Sequence, residues 1–234
     1  MNIRALVAEA VGTFILVGIG SFAILSSSAS SLPPVVTVPF GFGLALLVAM
    51  AATGHVSGGH YNPAVTLAAA LDRRIEIVPA IGYVGAQIVG AFAASYAVLL
   101  TVAQEAVTVT RTVPVASLGI EKIFALEAVL SAIFILVILT VTRKAPGHAI
   151  FVIPLTLMVI HFAAVPITGA SVNPARSLAP AVLAGDLSNI WVYLTAPLLG
   201  AIVGWGIYRI LTPPDEDEVM DELFDGVEAE AAAG

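Results

Sequence analysis

The triplet Asn-Pro-Ala occurs twice, at 62–64 and 173–175, and each time it heads an apolar segment too short to cross a membrane. As helices, residues 63–71 and 174–184 would be roughly 13 and 16 Å long at about 1.5 Å per residue. That is about half of a hydrocarbon core of about 30 Å. Asn is a favoured N-cap and Pro is favoured at the first helical position, so each triplet reads as a helix start. A helix start at membrane depth needs non-helical backbone before it, and such backbone survives there only where it lines a cavity or is buried in protein. Two such starts in one chain constrain the fold more than any other feature.

Six further segments, 5–25, 35–54, 77–102, 123–142, 149–165 and 190–211, are long and apolar enough to span a bilayer as helices. The first carries an internal Glu9 and no clear cleavage site, so it reads as a retained span and not as a signal peptide. Of the 234 residues, 59% are hydrophobic and 11% are charged, against about 25% charged in soluble domains. With a net charge of −7, this composition argues against a soluble enzyme and against a nucleic-acid partner. The chain has no cysteine, which removes disulfides, thiolate metal sites and thiol nucleophiles. No histidine spacing suits a metal, so neither a metal nor another cofactor is expected.

The two halves resemble each other. NPAVTLA at 62–68 is answered by NPARSLA at 173–179, and LVAEAV at 6–11 by FALEAV at 124–129. The unit is therefore three spans plus one half-helix, with a Glu in its first span. Three is odd, so the second copy is inverted, and inverted repeats place their site at the midplane where the halves meet. The expected class is an all-α membrane protein of six spans and two re-entrant half-helices.

Basic residues in short loops stay cytoplasmic. Arg4, Arg73, Arg74, Arg143, Lys144 and Arg209 fall on the side of both termini, against Arg111 and Lys122 opposite. Both termini are therefore expected in the cytoplasm of a multi-pass protein of the cell membrane. Residues 1–212 read as the membrane domain, with repeats at about 5–102 and 122–211. The segment 213–234 holds nine of the sixteen carboxylates and no Lys or Arg, and reads as a solvated, disordered acidic tail.

The chemistry follows from the caps. An Asn whose side-chain oxygen caps its helix keeps its amide NH₂ as a donor, and this NH₂ is expected to face the lumen. Asn62 and Asn173 would meet at the midplane on the positive ends of two half-helices. A water held there accepts from both amides and turns its hydrogens away from the centre, while the helix ends repel cations. Arg176, one turn beyond Asn173, is costly in a membrane and should face water or protein. His161 and Phe42 are expected at its level, on the outer side of centre, making a narrow ring. Buried Glu9 and Glu127 read either as proton relays or as acceptors for loop backbone; the second reading is preferred because loop donors must bond something. Gly82, Gly85, Ala86, Gly90, Gly200 and Gly204 read as close helix contacts.

AEAVGTF, GHVSGGHYNPAVT, GYVGAQIVGA and ITGASVNPARS resemble the aquaporins of the major intrinsic protein family, and in particular their bacterial, water-selective aquaporin Z branch, over about residues 3–211. The resemblance implies a homotetramer with one pore per subunit, water as the permeant and lipid as the surroundings. It implies that Asn62-Pro63-Ala64 and Asn173-Pro174-Ala175 meet in the pore. It also implies that carbonyls of Gly58, Gly59, His60, Tyr61, Gly169, Ala170 and Ser171 line the water path. Phe42, His161, Ala170 and Arg176 match the selectivity filter, with Ala170 where such proteins usually have Thr. Glycerol facilitators typically have a small residue at the His161 position and an Asp at the Ser177 position, so both departures argue for water. The alternatives are a facilitator of glycerol, urea or ammonia with the same fold and, further off, a proton-coupled transporter.

Overall fold

The computed structural model describes residues 2–29 and 31–213. The acidic stretch from 214 onward, read from composition as a solvated tail, lies outside the described residues. Ten α-helices are present among those described: α1 (Ile3–Ala29), α2 (Pro34–Ala49), α3 (His55–Ser57), α4 (Pro63–Leu71), α5 (Ile77–Thr101), α6 (Gln104–Val109), α7 (Ile120–Lys144), α8 (Ala149–Thr168), α9 (Pro174–Ala184) and α10 (Ile190–Leu211). A π-helical turn, Met50–Gly54, joins α2 to the single turn α3, so these three pieces form one continuous span. Six helical segments are long and apolar enough to cross a membrane.

Both half-helices begin and end where the sequence places them. Asn62 and Asn173 have extended backbone and accept from their own first turn, Asn62 from Ala64 N and Asn173 from Ala175 N and Arg176 N. Pro at N1 loses no hydrogen bond there, because that N–H is unpaired in any helix. Gly185, at φ 73°, stops α9 in a left-handed cap, a conformation that suits glycine.

The repeats interlock. Helix α1 packs on α5 in the first and α7 on α10 in the second, while α2 packs on α8 across the divide. Each half-helix lies against the last span of the other repeat, α4 on α10 and α9 on α5, and the two half-helices also touch. Six spans that alternate in direction bring the start of α1 and the end of α10 to one face, the face bearing the described chain ends. Large apolar side chains such as Ile81, Leu100, Phe151 and Val159 point outward and are more than half exposed. Glu9, Gln87, Glu127, His161 and Arg176 are buried. This polarity is what a hydrocarbon surround requires.

Glycine sets the helix spacing at α1–α5 and α7–α10. A Cβ built on Gly90 would sit 2.2 Å from Ala10 O, and on Gly200 or Gly204 2.4 Å from Ala128 O or Ala132 O. These are backbone atoms and cannot swing aside. Gly85, expected at a similar contact, has nothing within 4 Å, so it is not part of this packing within one chain. Gly204→Ala should destabilise the fold by about 1–3 kcal/mol, the usual cost of overpacking, visible as a lower midpoint in thermal unfolding in detergent.

Candidate functional site

The loops that precede the half-helices are built alike. Gly58 and Gly169 have φ 86° and 81°, Gly59 and Ala170 72° and 49°, and Tyr61 and Val172 49° and 44°. Three left-handed positions within four residues cost strain for Tyr61, Ala170 and Val172, which are not glycine. That strain needs anchors, and each loop has one carboxylate as its principal anchor. Glu9 Oε1 accepts from Ser57 Oγ (2.7 Å) and His60 N (2.9 Å), and its Oε2 from Tyr61 N (2.7 Å) and Gln87 Nε2 (2.7 Å). Glu127 Oε1 accepts from Thr168 Oγ1 (2.6 Å) and Ser171 N (2.9 Å), and its Oε2 from Val172 N (2.9 Å). Gln87 also donates to Thr66 Oγ1 at 2.8 Å. Its part was not read from the sequence, although it lies within the GYVGAQIVGA motif.

The two Asn side chains meet the opposite repeat. Asn62 Nδ2 donates to Val172 O at 2.8 Å and Asn173 Nδ2 to Tyr61 O at 2.9 Å. This corrects the expectation that both amide hydrogens are left for the lumen. One N–H of each amide ties the two loops together, and the second remains as a donor toward the cavity that both residues line.

That cavity is narrow. Its walls include Phe42, His60, Asn62, His161, Asn173 and Arg176, and the space open to a water's centre is about 20 Å³. A water needs about 10–15 Å³ by that measure, so the cavity has room for one or two waters at a time. Phe42 and His161 stack with ring centroids 4.7 Å apart, and the Arg176 guanidinium lies 4.7 Å from the Phe42 centroid. Arg176 Nη1 donates to Thr110 O at 3.1 Å, while Arg176 Nε has no protein partner. His161 Nδ1 lies 2.9 Å from Leu157 O; a carbonyl only accepts, so Nδ1 carries the proton. In the neutral ring Nε2, which no protein group bonds, is then an acceptor. The ring of side chains thus holds an acceptor as well as the donors of the arginine.

Ala170 is fully buried, with its N–H bonded to Thr168 Oγ1 at 3.0 Å, and neither it nor Gly169 is among the residues lining this cavity. Tyr61 points away from the cavity, its hydroxyl donating to Ala49 O at 3.1 Å beside Thr53 Oγ1 at 2.7 Å. Ser171 does line it. Pro63, Ala64, Pro174 and Ala175 are buried at the abutting half-helix tips.

Toward the face bearing the chain ends, a wider cavity of about 350 Å³ is lined by Gly58, Gly59, His60, Phe134, Thr142 and Arg74 among others. His60, Leu46 and Phe134 line both cavities, so the two adjoin. At the opposite end Arg111 pairs with Asp186. The Asp186 carboxyl is held down at about 2, first by hydrogen bonds from Ser188 and then by Arg111. Among the described residues no group of His, Asp and Glu could hold a metal ion.

Comparison with known proteins adds four findings. The family model described as "Major intrinsic protein" matches residues 1–208. The chain is 39% identical over 219 residues to glycerol uptake facilitator protein-like 6 of Lactiplantibacillus plantarum, covering 91% of this chain and 100% of that one. It is 38% identical over 226 residues to aquaporin Z of Photorhabdus laumondii, covering 89% of this chain and 97% of that one. In fold it is similar to the X-ray structure of the aquaglyceroporin from Plasmodium falciparum, with a TM-score of 0.82 over 90% of this chain and 97% of the other, at 24% identity.

Proposed function

Because the chain belongs to the major intrinsic protein family, a family of multi-spanning membrane channels, we propose that it is a passive, water-selective channel driven by osmotic gradients. The observation that supports this most is the stack of Phe42, His161 and Arg176 on a cavity only about 20 Å³ in water-centre volume. A water there meets the Arg176 donors on one side and His161 Nε2 on the other. Deeper in, the second N–H of Asn62 and of Asn173 orients it between two positive helix ends. Carbonyls of Gly58, Gly59, His60 and Ser171 complete the path in this reading. The same reading assigns the carbonyls of Tyr61, Gly169 and Ala170 to the path as well. Glu9 and Glu127 hold the loops and move no proton.

The basic side chains of the face bearing the chain ends support a cytoplasmic orientation for that face, in the cell membrane. Residues 1–212 are the channel domain, working as one pore in a homotetramer, with 213–234 as a cytoplasmic tail. A second reading, a facilitator of glycerol or another small neutral solute, is favoured by Ala170, which lacks the bulk of a Thr, and by the likeness to a glycerol facilitator-like protein.

Proteoliposomes of the purified protein should shrink several-fold faster than protein-free ones in an impermeant osmolyte. A trapped pH-sensitive dye should report no faster decay of a pH gradient. Shrinkage no faster than in empty vesicles would remove the channel reading.

A further inference from the structure

The described chain carries an uneven charge. On the face bearing the chain ends stand Arg4, Arg73, Arg74, Arg143, Lys144 and Arg209, against the carboxylates Asp72 and Glu76. The nine carboxylates beyond residue 213 have no cation among them.

These basic residues form a collar of positive charge on the face toward which the wider cavity lies, and one of them reaches the cavity itself. Arg74 lines its mouth and is held by three elements. Its Nε meets Asp72 Oδ2 at 2.7 Å, Nη1 donates to Thr142 Oγ1 at 2.6 Å, and Nη2 donates to Leu139 O at 3.0 Å and Tyr208 OH at 3.1 Å. Arg143 Nη1 donates to the same hydroxyl at 3.2 Å. Arg209 stands 3.7 Å from Asp72 Oδ1, which also accepts from Trp205 Nε1 at 3.2 Å. One carboxylate, Asp72, thus lies between Arg74 at the mouth and Arg209 at the end of α10. The chain continues past α10 at Thr212 and Pro213, a few residues beyond Arg209. The 21 residues from 214 to 234 can reach up to about 70 Å from an attachment point only a few residues beyond Arg209. The local concentration of the tail at the collar is therefore high.

We propose that the acidic segment 215–230 docks on this basic collar of its own chain. A tail that composition alone reads as solvated has a partner of opposite charge beside its point of attachment. The proposal takes that face as cytoplasmic, as in the channel reading above, but its test does not depend on conduction.

Carbodiimide cross-linking is the test, because it joins a carboxylate to an amine with no spacer. Apart from the amino terminus, the chain has two amines, Lys144 on the collar and Lys122 on the opposite face. In the full-length protein at low salt, peptide mapping should find Lys144 joined to tail carboxylates within chains of monomer size. One molar salt, with a Debye length of about 3 Å, should cut that yield at least fivefold. The variant Arg73→Lys places an amine next to Arg74 and should cross-link as well. Absence of the Lys144 product, equal yield at Lys122, or products formed only between chains would overturn the proposal. Water permeability measured on the same preparation keeps the two readings apart. Cross-linking without conduction would remove the channel and leave the docking, and conduction without cross-linking would do the reverse.

Discussion

Replacing Arg176 with valine should raise proton and small-cation leakage about a hundredfold while water flux changes by no more than a few-fold. The guanidinium is buried, stacked on Phe42 and tied to Thr110 O, so its charge stays beside the permeating file. At about 5 Å and an effective dielectric of about 20, a unit charge opposes another by about 3 kcal/mol, or slightly over two decades in rate. The half-helix ends at Asn62 and Asn173 keep about half a charge each in the variant, so the leak should stay far below that of an open ion pore. Water carries no charge and loses only a hydrogen-bond donor. Decay of a pH gradient in proteoliposomes, with the membrane potential clamped by a potassium ionophore, reads the effect. A leak unchanged from the parent protein would move cation exclusion wholly to the Asn pair.

Glu9→Ala should abolish folded protein, and Glu9→Gln should reduce it markedly. The carboxylate satisfies four donors, two of them backbone N–H groups of a loop with three left-handed residues. Each stranded buried donor costs about 1–3 kcal/mol, so the alanine variant loses about 4 kcal/mol or more, a large part of a typical stability of about 5–15 kcal/mol. In Gln, one carboxylate oxygen becomes an NH₂ that faces donors whichever way the amide turns. If Ser57 rotates to accept, His60 N–H is still stranded. Glu127→Gln strands Ser171 N–H or Val172 N–H by the same logic. Monodisperse yield by size-exclusion chromatography should fall in all three. Normal yield with an acquired proton leak would make these carboxylates relays.

The legible parts of the sequence were those governed by local chemistry. Asn62-Pro63 and Asn173-Pro174 cap their helices with their own side chains, so α4 and α9 begin where the motif begins. Apolar length located all six spans, but their ends drifted wherever polarity did not mark them. The fifth was read to stop at 165, before Pro166, yet α8 runs to Thr168 because a proline near a helix end removes one hydrogen bond and Gly169 makes the cap. The first was read as 5–25 and runs from Ile3 to Ala29. The short α6, Gln104–Val109, is too brief and too polar for either period to register, yet Thr110 at its end holds Arg176.

Partners across the repeats were illegible for a different reason. Donation of Asn62 to Val172 O and of Asn173 to Tyr61 O depends on how two loops approach one another, and no spacing within either loop encodes it. The tautomer of His161 likewise follows from Leu157 O one turn away. The Arg74 network joins the turn after α4 to α7 and α10, elements distant in the chain.

The central claim, selection for water at Phe42, His161 and Arg176, is tested most directly by one stopped-flow series on proteoliposomes. Shrinkage in an impermeant osmolyte and re-swelling in glycerol should be recorded on the same preparation. The account predicts fast shrinkage and glycerol re-swelling at the rate of protein-free vesicles. Glycerol entry accelerated in step with water would contradict it, and would place the chain among solute facilitators with Ala170 as the opening in the filter.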